Sequence, residues 1–272
     1  MNKYRIKHWL SAMLSPSILN LITEVWRSGA RAINRTYFKL FCRDVVMLDT
    51  VRVQEGQHNQ PFVIDYLLNC AVGGFYLDIG ANHPKIDSNT YFFEMNRDYS
   101  GIAFDPLTKY EREWETQRPL TKCMNIAAGS AKGQVRFFQY GKTDSISDRL
   151  CFTEQSSRRE YIGSTESSIV DVLPMTDVYG IPASISFASI DVKGAEMDVL
   201  KGFGESVRPT ILVVENRSRP IGSNELRAQV ILMGYRFVAR ISNVDDVFVR
   251  SDVVVNVPDL RLLRDKRRDL FH

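Results

Sequence analysis

The sequence has little with which to staple or anchor itself. Its 272 residues include four cysteines, Cys42, Cys70, Cys123 and Cys151, with no CxxC pair and no metal-ligand spacing among them. That pattern excludes a disulfide framework and a structural zinc cluster, and it suits reduced thiols buried as small apolar residues. No apolar run approaches the roughly 20 residues of a bilayer span. Trp9 to Ile22, behind Lys3, Arg5 and Lys7, imitates a signal peptide. Pro16 and Asn20 interrupt it, however, and no small-x-small cleavage site follows before Glu24. The expected location is the cytoplasm, with peripheral contact at the inner membrane face as a further option. The composition of a disordered chain is lacking too. At 44 % hydrophobic and 25 % charged residues, the chain can fill the core of one α/β domain with an extension.

The formal charge of +3 is unevenly spread. Residues 1 to 43 hold eight lysines and arginines against Glu24 alone, or +7, which leaves the rest of the chain at −4. A basic arm on a mildly acidic body predicts a weak contact with something anionic, such as a membrane surface. The body itself gives no reason to expect nucleic acid. Within the arm, Ser17 to Phe41 reads as an amphipathic helix. Ile18, Ile22, Val25, Trp26, Ile33 and Tyr37 recur at helical spacing, and Arg27, Arg31, Arg35 and Lys39 fall every four residues. The apolar face would pack on the domain or lie in a bilayer interface. The division expected is a helical arm over 1–50, a globular domain over 51–258 and a basic tail over 259–272.

From residue 72 onward short apolar runs alternate with helical stretches. Phe75–Ile79, Gly101–Phe104, Thr121–Ile126, Gln134–Gln139, Ile185–Val192, Thr210–Glu215, Arg236–Ile241 and Val247–Arg250 read as strands. Asn89–Asn96, Lys109–Gln117, Ala195–Lys201 and Asn224–Met233 read as helices. Near-continuous apolar strands alternating with helices predict a mostly parallel sheet covered on both faces. The last two strands, separated only by Ser242–Asp246, predict a hairpin at its edge.

Ligands of open α/β sheets sit at the carboxyl ends of the strands, so the polar residues that end the apolar runs matter most. The first run ends Asp78-Ile79-Gly80-Ala81-Asn82-His83-Pro84. Gly80 and Ala81 would let a ligand approach the backbone, with Asp78 and Asn82 beside it. The second ends Phe104-Asp105-Pro106, 27 residues after Asp78. An acidic residue there can accept from both hydroxyls of a ribose, which points to a nucleoside. Each motif also has a plainer reading, as a strand-to-turn transition or a helix cap. The loop lacks the later glycines of G-x-G-x-x-G, so a pyrophosphate would be poorly held. An adenosine carrying an amino-acid tail fits better, and that points to S-adenosylmethionine.

The stretch Ser189-Ile190-Asp191-Val192-Lys193-Gly194-Ala195-Glu196, running on to Leu200-Lys201-Gly202, carries a family resemblance. With the Asp78–Asn82 loop it resembles the FkbM-type methyltransferases, which pair a D-[IV]-G-A-N loop with a later K-[IV]-D-[VI]-E-G-x-E-x-x-[VL]-L-x-G segment. Gln54-Glu55-Gly56-Gln57, Gly101 to Pro106, Asn125-Ile126-Ala127-Ala128, Arg208-Pro209 to Glu215 and Leu232-Met233-Gly234-Tyr235 extend it over about residues 52 to 250. Lys193 departs from the pattern, standing where the family has Glu. Ser189 and His58 depart as well. The resemblance implies a Rossmann-like class I methyltransferase domain with a seven-stranded sheet, using S-adenosylmethionine. It places Asp78, Gly80, Ala81 and Asn82 at the methionine part of the cofactor, Asp105 at the ribose, and Asn125 with Ala127 at the adenine. Ser88 and Asn89 would start the next helix, where free N–H groups receive the cofactor's carboxylate.

Methyl transfer from a sulfonium needs in-line positioning and removal of the acceptor's proton. The candidate bases, in order, are Asp191, Glu215, His83 and Glu196. Asp191 could instead cap a helix, and Glu215 could pair with Arg217. No metal is assigned, although Asp191 and Glu215 are hard oxygen ligands that could hold a divalent ion. The acceptor expected is a sugar, glycan or small-molecule hydroxyl. A nicotinamide-dependent oxidoreductase and a catalytically silent binding protein remain open as alternatives.

Overall fold

A computed structural model describes residues 46–48, 56, 60–140, 150–153, 166–216, 224–242 and 244–255. These all belong to one compact unit spanning 46–272. The amphipathic helix expected over Ser17–Phe41 and the basic tail expected over 259–272 lie outside the described residues, as do Gln54, Glu55, Gln57, His58 and Arg217. No helix among the described residues is long and apolar enough to cross a membrane.

The main sheet is built from β1 (Val46–Leu48), β2 (Phe75–Ile79), β3 (Ser100–Phe104), β4 (Thr121–Met124), β9 (Phe187–Ile190), β10 (Ile211–Glu215), β11 (Tyr235–Ile241) and β12 (Asp245–Arg250). Its order is β1-β11-β12-β10-β9-β2-β3-β4. All neighbours are parallel except for β12, which runs antiparallel to both β10 and β11. The expected mostly parallel seven-stranded sheet with its antiparallel hairpin is therefore present from β11 to β4. β1 adds an eighth strand, parallel to β11. Residues 46–48 had been assigned to the helical arm. As a strand they pair the outer edge of the hairpin, which would otherwise present unpaired backbone groups.

A second sheet, ordered β5-β8-β6-β7, is formed by β5 (Ala127–Ala128), β6 (Gly133–Tyr140), β7 (Leu150–Thr153) and β8 (Glu166–Leu173). Gln134–Gln139 thus leaves the parallel sheet in which it was expected. No helix separates it from β4, and without a crossover a strand cannot return parallel to its predecessor. It pairs antiparallel with β7 and β8 instead.

The helices are α1 (Gln60–Leu67), α2 (Tyr91–Arg97), α3 (Glu111–Gln117), α4 (Glu196–Lys201) and α5 (Asn224–Leu232). Alternation along each strand divides the core between the two faces of the sheet. Leu212 and Val214 join Leu77, Ile79, Ala188 and Ile190 under Val199 and Leu200 of α4 and Leu226 and Val230 of α5. Ile211 and Val213 join Tyr76, Phe187 and Phe93 under Val63, Ile64 and Leu67 of α1. Both faces are covered, which is why these strands read as unbroken apolar runs. α1 has no counterpart in the expected elements. Its Pro61 stands at the start of the helix, where the missing N–H costs nothing.

Candidate functional site

The chain leaves β2 toward β3 and β4, then crosses back to place β9 and β10 on the other side. The reversal places a switch point between β2 and β9, and open α/β sheets bind ligands in the crevice at the carboxyl ends of such strands. Asp78, Asp105, Asp191 and Glu215 end or directly follow β2, β3, β9 and β10, so the topology brings all four to one edge. The strand ends are laced together, with Asp191 N–H donating to Ile79 O and Gly80 N–H to Phe104 O, each at 2.8 Å. Gly80 has φ +83°, and a Cβ on it would lie 2.1 Å from the Asp191 carbonyl oxygen. Glycine is needed here for the approach of one backbone to another, a cause different from the ligand approach expected of it.

Two carboxylates line the crevice. Asp78 Oδ2 accepts from the Thr90 hydroxyl at 2.6 Å. Asp105 accepts one backbone N–H on each oxygen, from Asn82 at 2.7 Å and from Leu107 at 2.9 Å. An ionised carboxylate offers about four lone-pair sites, so Asp105 keeps one on each oxygen for a further donor. Asn82 adopts left-handed backbone, φ 52°, which asparagine tolerates. Its carbonyl accepts from Trp114 Nε1 at 2.9 Å. Asn125 Nδ2 donates to Leu107 O at 2.8 Å, so this side chain holds the loop after β3 in place. Ala127 is buried in β5, and Ala81 packs with Leu107, Tyr110 and Trp114.

The helix start differs from expectation. α2 begins at Tyr91 with Thr90 as its cap residue, not at Ser88. Ser88 Oγ accepts the N–H groups of Thr90 and Tyr91 at 3.3 and 3.1 Å. Donors expected to receive a cofactor carboxylate are therefore already taken, because a serine two residues before the helix satisfies them locally. Asn89 donates through Nδ2 to Ser189 Oγ at 3.0 Å, while its Oδ1 is buried without a partner among the described residues.

A second group of acids lies on the β9–β10 side. Carboxylate oxygens of Asp191, Glu196 and Glu215 all lie within 4.8 Å of one another. Such a spacing could hold a divalent ion. The Lys193 ammonium, however, is 2.5 Å from Asp191 Oδ1 and 3.1 Å from Glu215 Oε1. Glu196 Oε1 accepts from Gly194 N–H at 2.9 Å. His83 stays outside this group. Its Nδ1 accepts the N–H groups of Lys85 and Ile86, both at 3.0 Å, and burial lowers its pKa. That leaves a neutral ring with its proton on Nε2, which is a donor and not a base.

Asp245 was missed by the sequence reading. β12 is antiparallel, so its first residue lies directly opposite Glu215, and Gln60 Nε2 of α1 donates to it at 2.8 Å. The available signal was an acidic pair at the start of the one strand that enters from the carboxyl edge. Burial, ahead of other causes, raises Asp78 and Asp105 to about 6, Glu196 to about 7 and Asp245 to about 8. Asp191 is raised as well, chiefly by burial, with Lys193 opposing the shift.

A stability prediction follows. Carboxyls with raised folded pKa values bind more protons in the folded state than in the unfolded one. Their contribution is complete below the unfolded values and is lost as pH rises through about 6 to 8. Urea melts of the ligand-free protein should show stability falling over that window, and Asp245→Asn should flatten the fall. A curve that rises through the window would contradict the assignment.

The sheet order β4-β3-β2-β9-β10-β12-β11, with acidic residues at the strand ends beside the β2–β9 switch point, defines a Rossmann-like α/β domain. The family profile described as "Methyltransferase FkbM domain" matches residues 78–237. The chain belongs to the FkbM methyltransferase family, and this decides between the methyltransferase and oxidoreductase readings. Two solved structures are similar. One is a methyltransferase FkbM from Methylobacillus flagellatus, at 13 % identity and a TM-score of 0.38, covering 65 % of this chain and 43 % of that one. The other is a Burkholderia thailandensis 1,6-didemethyltoxoflavin-N1-methyltransferase, solved with 1,6-didemethyltoxoflavin and S-adenosylhomocysteine. It has 9 % identity and a TM-score of 0.41, covering 88 % of this chain and 92 % of that one. This chain thus spans less than half the length of the first. No curated protein matches the sequence.

Proposed function

We propose that the chain binds S-adenosylmethionine in the β2–β9 crevice and methylates a hydroxyl of a sugar, glycan or small molecule, with Asp191 taking the acceptor's proton. The observation that carries the assignment of the base is exposure. The Asp191 side chain is 21 % exposed, whereas Glu215 is fully covered and Asp245 is buried. Among these acids, Glu196 included, Asp191 has the most exposed side chain and so is the best placed for an incoming acceptor.

The residues present fit this cofactor. Asp78, Asp105 and the unpartnered Asn89 Oδ1 all offer acceptors. An ammonium and two ribose hydroxyls are donors, whereas a pyrophosphate would meet carboxylates at the same place. When bound, the cofactor supplies a methyl group on a sulfonium: a carbon–oxygen bond forms to the acceptor as the carbon–sulfur bond breaks, leaving S-adenosylhomocysteine. Asp191 accepts the proton released from the acceptor hydroxyl. Asp105 orients the ribose through the lone pairs left by Asn82 and Leu107. Ala127 and the loop held by Asn125 border the adenine. A sugar or glycan met at an anionic membrane face is the acceptor that the basic residues 1 to 43 favour.

The deciding experiment is incubation with labelled S-adenosylmethionine and fractionated glycans and small molecules, followed by mass spectrometry for one added methylene. Transfer to a hydroxyl is the expected result, and label on nitrogen alone would overturn it. Asp105→Ala tests the ribose contact separately. Losing hydrogen bonds to a charged acceptor costs about 1.5–3 kcal/mol, so calorimetry should show affinity for S-adenosylhomocysteine reduced on the order of 10- to 100-fold. Unchanged affinity in a folded variant would sink the assignment.

A further inference from the structure

The turn after β9 drives a positive charge into the acid group by an unusual backbone path. Lys193 has φ 54° and Gly194 φ 108°, two successive residues in the left-handed region. For a side chain larger than glycine's this conformation is strained and persists only where its surroundings hold it. Here the holding contacts are the ion pairs to Asp191 at 2.5 Å and to Glu215 at 3.1 Å, made by a side chain only 18 % exposed. Acids face Asp191 from every neighbouring element. Glu215 comes from β10, Glu196 from α4 and Asp245 from β12, with Asp78 and Asp105 on the β2–β3 side. Lys193 is the cation that acts on both Asp191 and Asp245.

We propose that Lys193 is the resident cation of this site: its ammonium takes the place that a divalent ion would hold between Asp191 and Glu215, offsets the negative charge of both, and makes methyl transfer independent of added metal. Carboxylates this close cannot all ionise unaided, because like charges at a few ångströms drive one of them to keep its proton. A covalently attached ammonium removes that obstacle and cannot be diluted or chelated away. Lys193 is a positioning residue, acting on the acceptor only through Asp191. The inference rests on the proposed methyl transfer for its kinetic consequence, but its cation-replacing role has a separate readout.

The test uses the full chain and its Lys193→Met, Lys193→Arg and Lys193→Glu variants. Manganese(II), followed by electron paramagnetic resonance, should stay free with the parent protein and bind to Lys193→Glu, in which a carboxylate replaces the ammonium. In the transfer assay, a chelator should leave the parent rate unchanged. Lys193→Met should lose about tenfold or more at pH 7 and recover as pH rises, because the acid limb moves up once the ammonium is gone. Lys193→Arg should keep the parent profile. Manganese bound by the parent at these acids, inhibition by chelator, or a Lys193→Met profile that overlays the parent would each overturn the proposal. The metal titration of the parent needs neither turnover nor a variant that folds. If no acceptor is methylated while the manganese results come out as expected, the proposed reaction fails and the role of Lys193 stands.

Discussion

Asp191→Asn is expected to bind S-adenosylhomocysteine as tightly as the parent and to lose turnover by ~10²-fold or more, the usual contribution of a positioned general base. The substitution changes little in shape but removes the lone-pair basicity that takes the acceptor's proton. Cofactor affinity should survive because the groups assigned to it, Asp78, Asn89 and Asp105, keep their partners in Thr90, Ser189, Asn82 and Leu107. The neighbours are poorly placed to substitute, and Glu196 is buried with Oε1 already accepting from Gly194 N–H. Glu215 has no exposed side-chain surface, Asp245 holds its proton to about pH 8, and the unprotonated nitrogen of His83 is occupied by two backbone N–H groups. Calorimetry with S-adenosylhomocysteine and a single-turnover methylation assay check the two halves separately. Turnover equal to the parent's would move the role to another carboxylate. Loss of cofactor affinity without loss of turnover would place Asp191 in the cofactor site instead.

The sequence is most legible where an apolar run ends in a polar residue. Asp78, Asp105, Asp191 and Glu215 each follow such a run, and parallel strands carry their ends to one edge without further information. Elements that depend on tertiary pairing are less legible. β8 reads ESSIVDVL, half polar, and becomes a strand because β6 runs antiparallel beside it. α1 is short and follows no clear periodicity, yet its Val63, Ile64 and Leu67 join the core on one face of the sheet. Lys193 and Asp245 look like solvated turn charges along the chain. Only the antiparallel entry of β12 and the left-handed turn after β9 bring them against Glu215. Gly80 was recognised from its loop, but the atom it must avoid belongs to a residue 111 positions later, Asp191.

Arg118 directly follows α3, and its removal is expected to cause the largest loss of stability of any substitution considered. The side chain is fully buried, and every nitrogen of its guanidinium is engaged. Nε donates to Glu94 Oε2 at 2.7 Å, Nη1 to Pro84 O at 2.6 Å, and Nη2 to the Tyr76 hydroxyl at 2.5 Å and Thr90 Oγ1 at 3.0 Å. Its plane lies over the Trp114 ring, 5.0 Å from the centroid. Pro84 belongs to the loop after β2, and the Thr90 hydroxyl in turn donates a hydrogen bond to Asp78. One buried cation thereby fixes the loop after β2 beneath the proposed cofactor site. Arg118→Met would leave the Glu94 carboxylate buried without its charge partner, a change that costs about 3–5 kcal/mol in comparable sites. Adding Glu94→Gln should restore part of that loss, since the uncharged amide no longer needs the guanidinium. Urea denaturation of the parent, both single variants and the double variant gives the coupling energy directly. If Arg118→Met unfolds within about 0.5 kcal/mol of the parent, the ordinary range of an inconsequential surface change, Arg118 does not hold this loop. If the double variant regains stability yet binds S-adenosylhomocysteine weakly, the contact through Thr90 to Asp78 is what the cofactor site draws from Arg118.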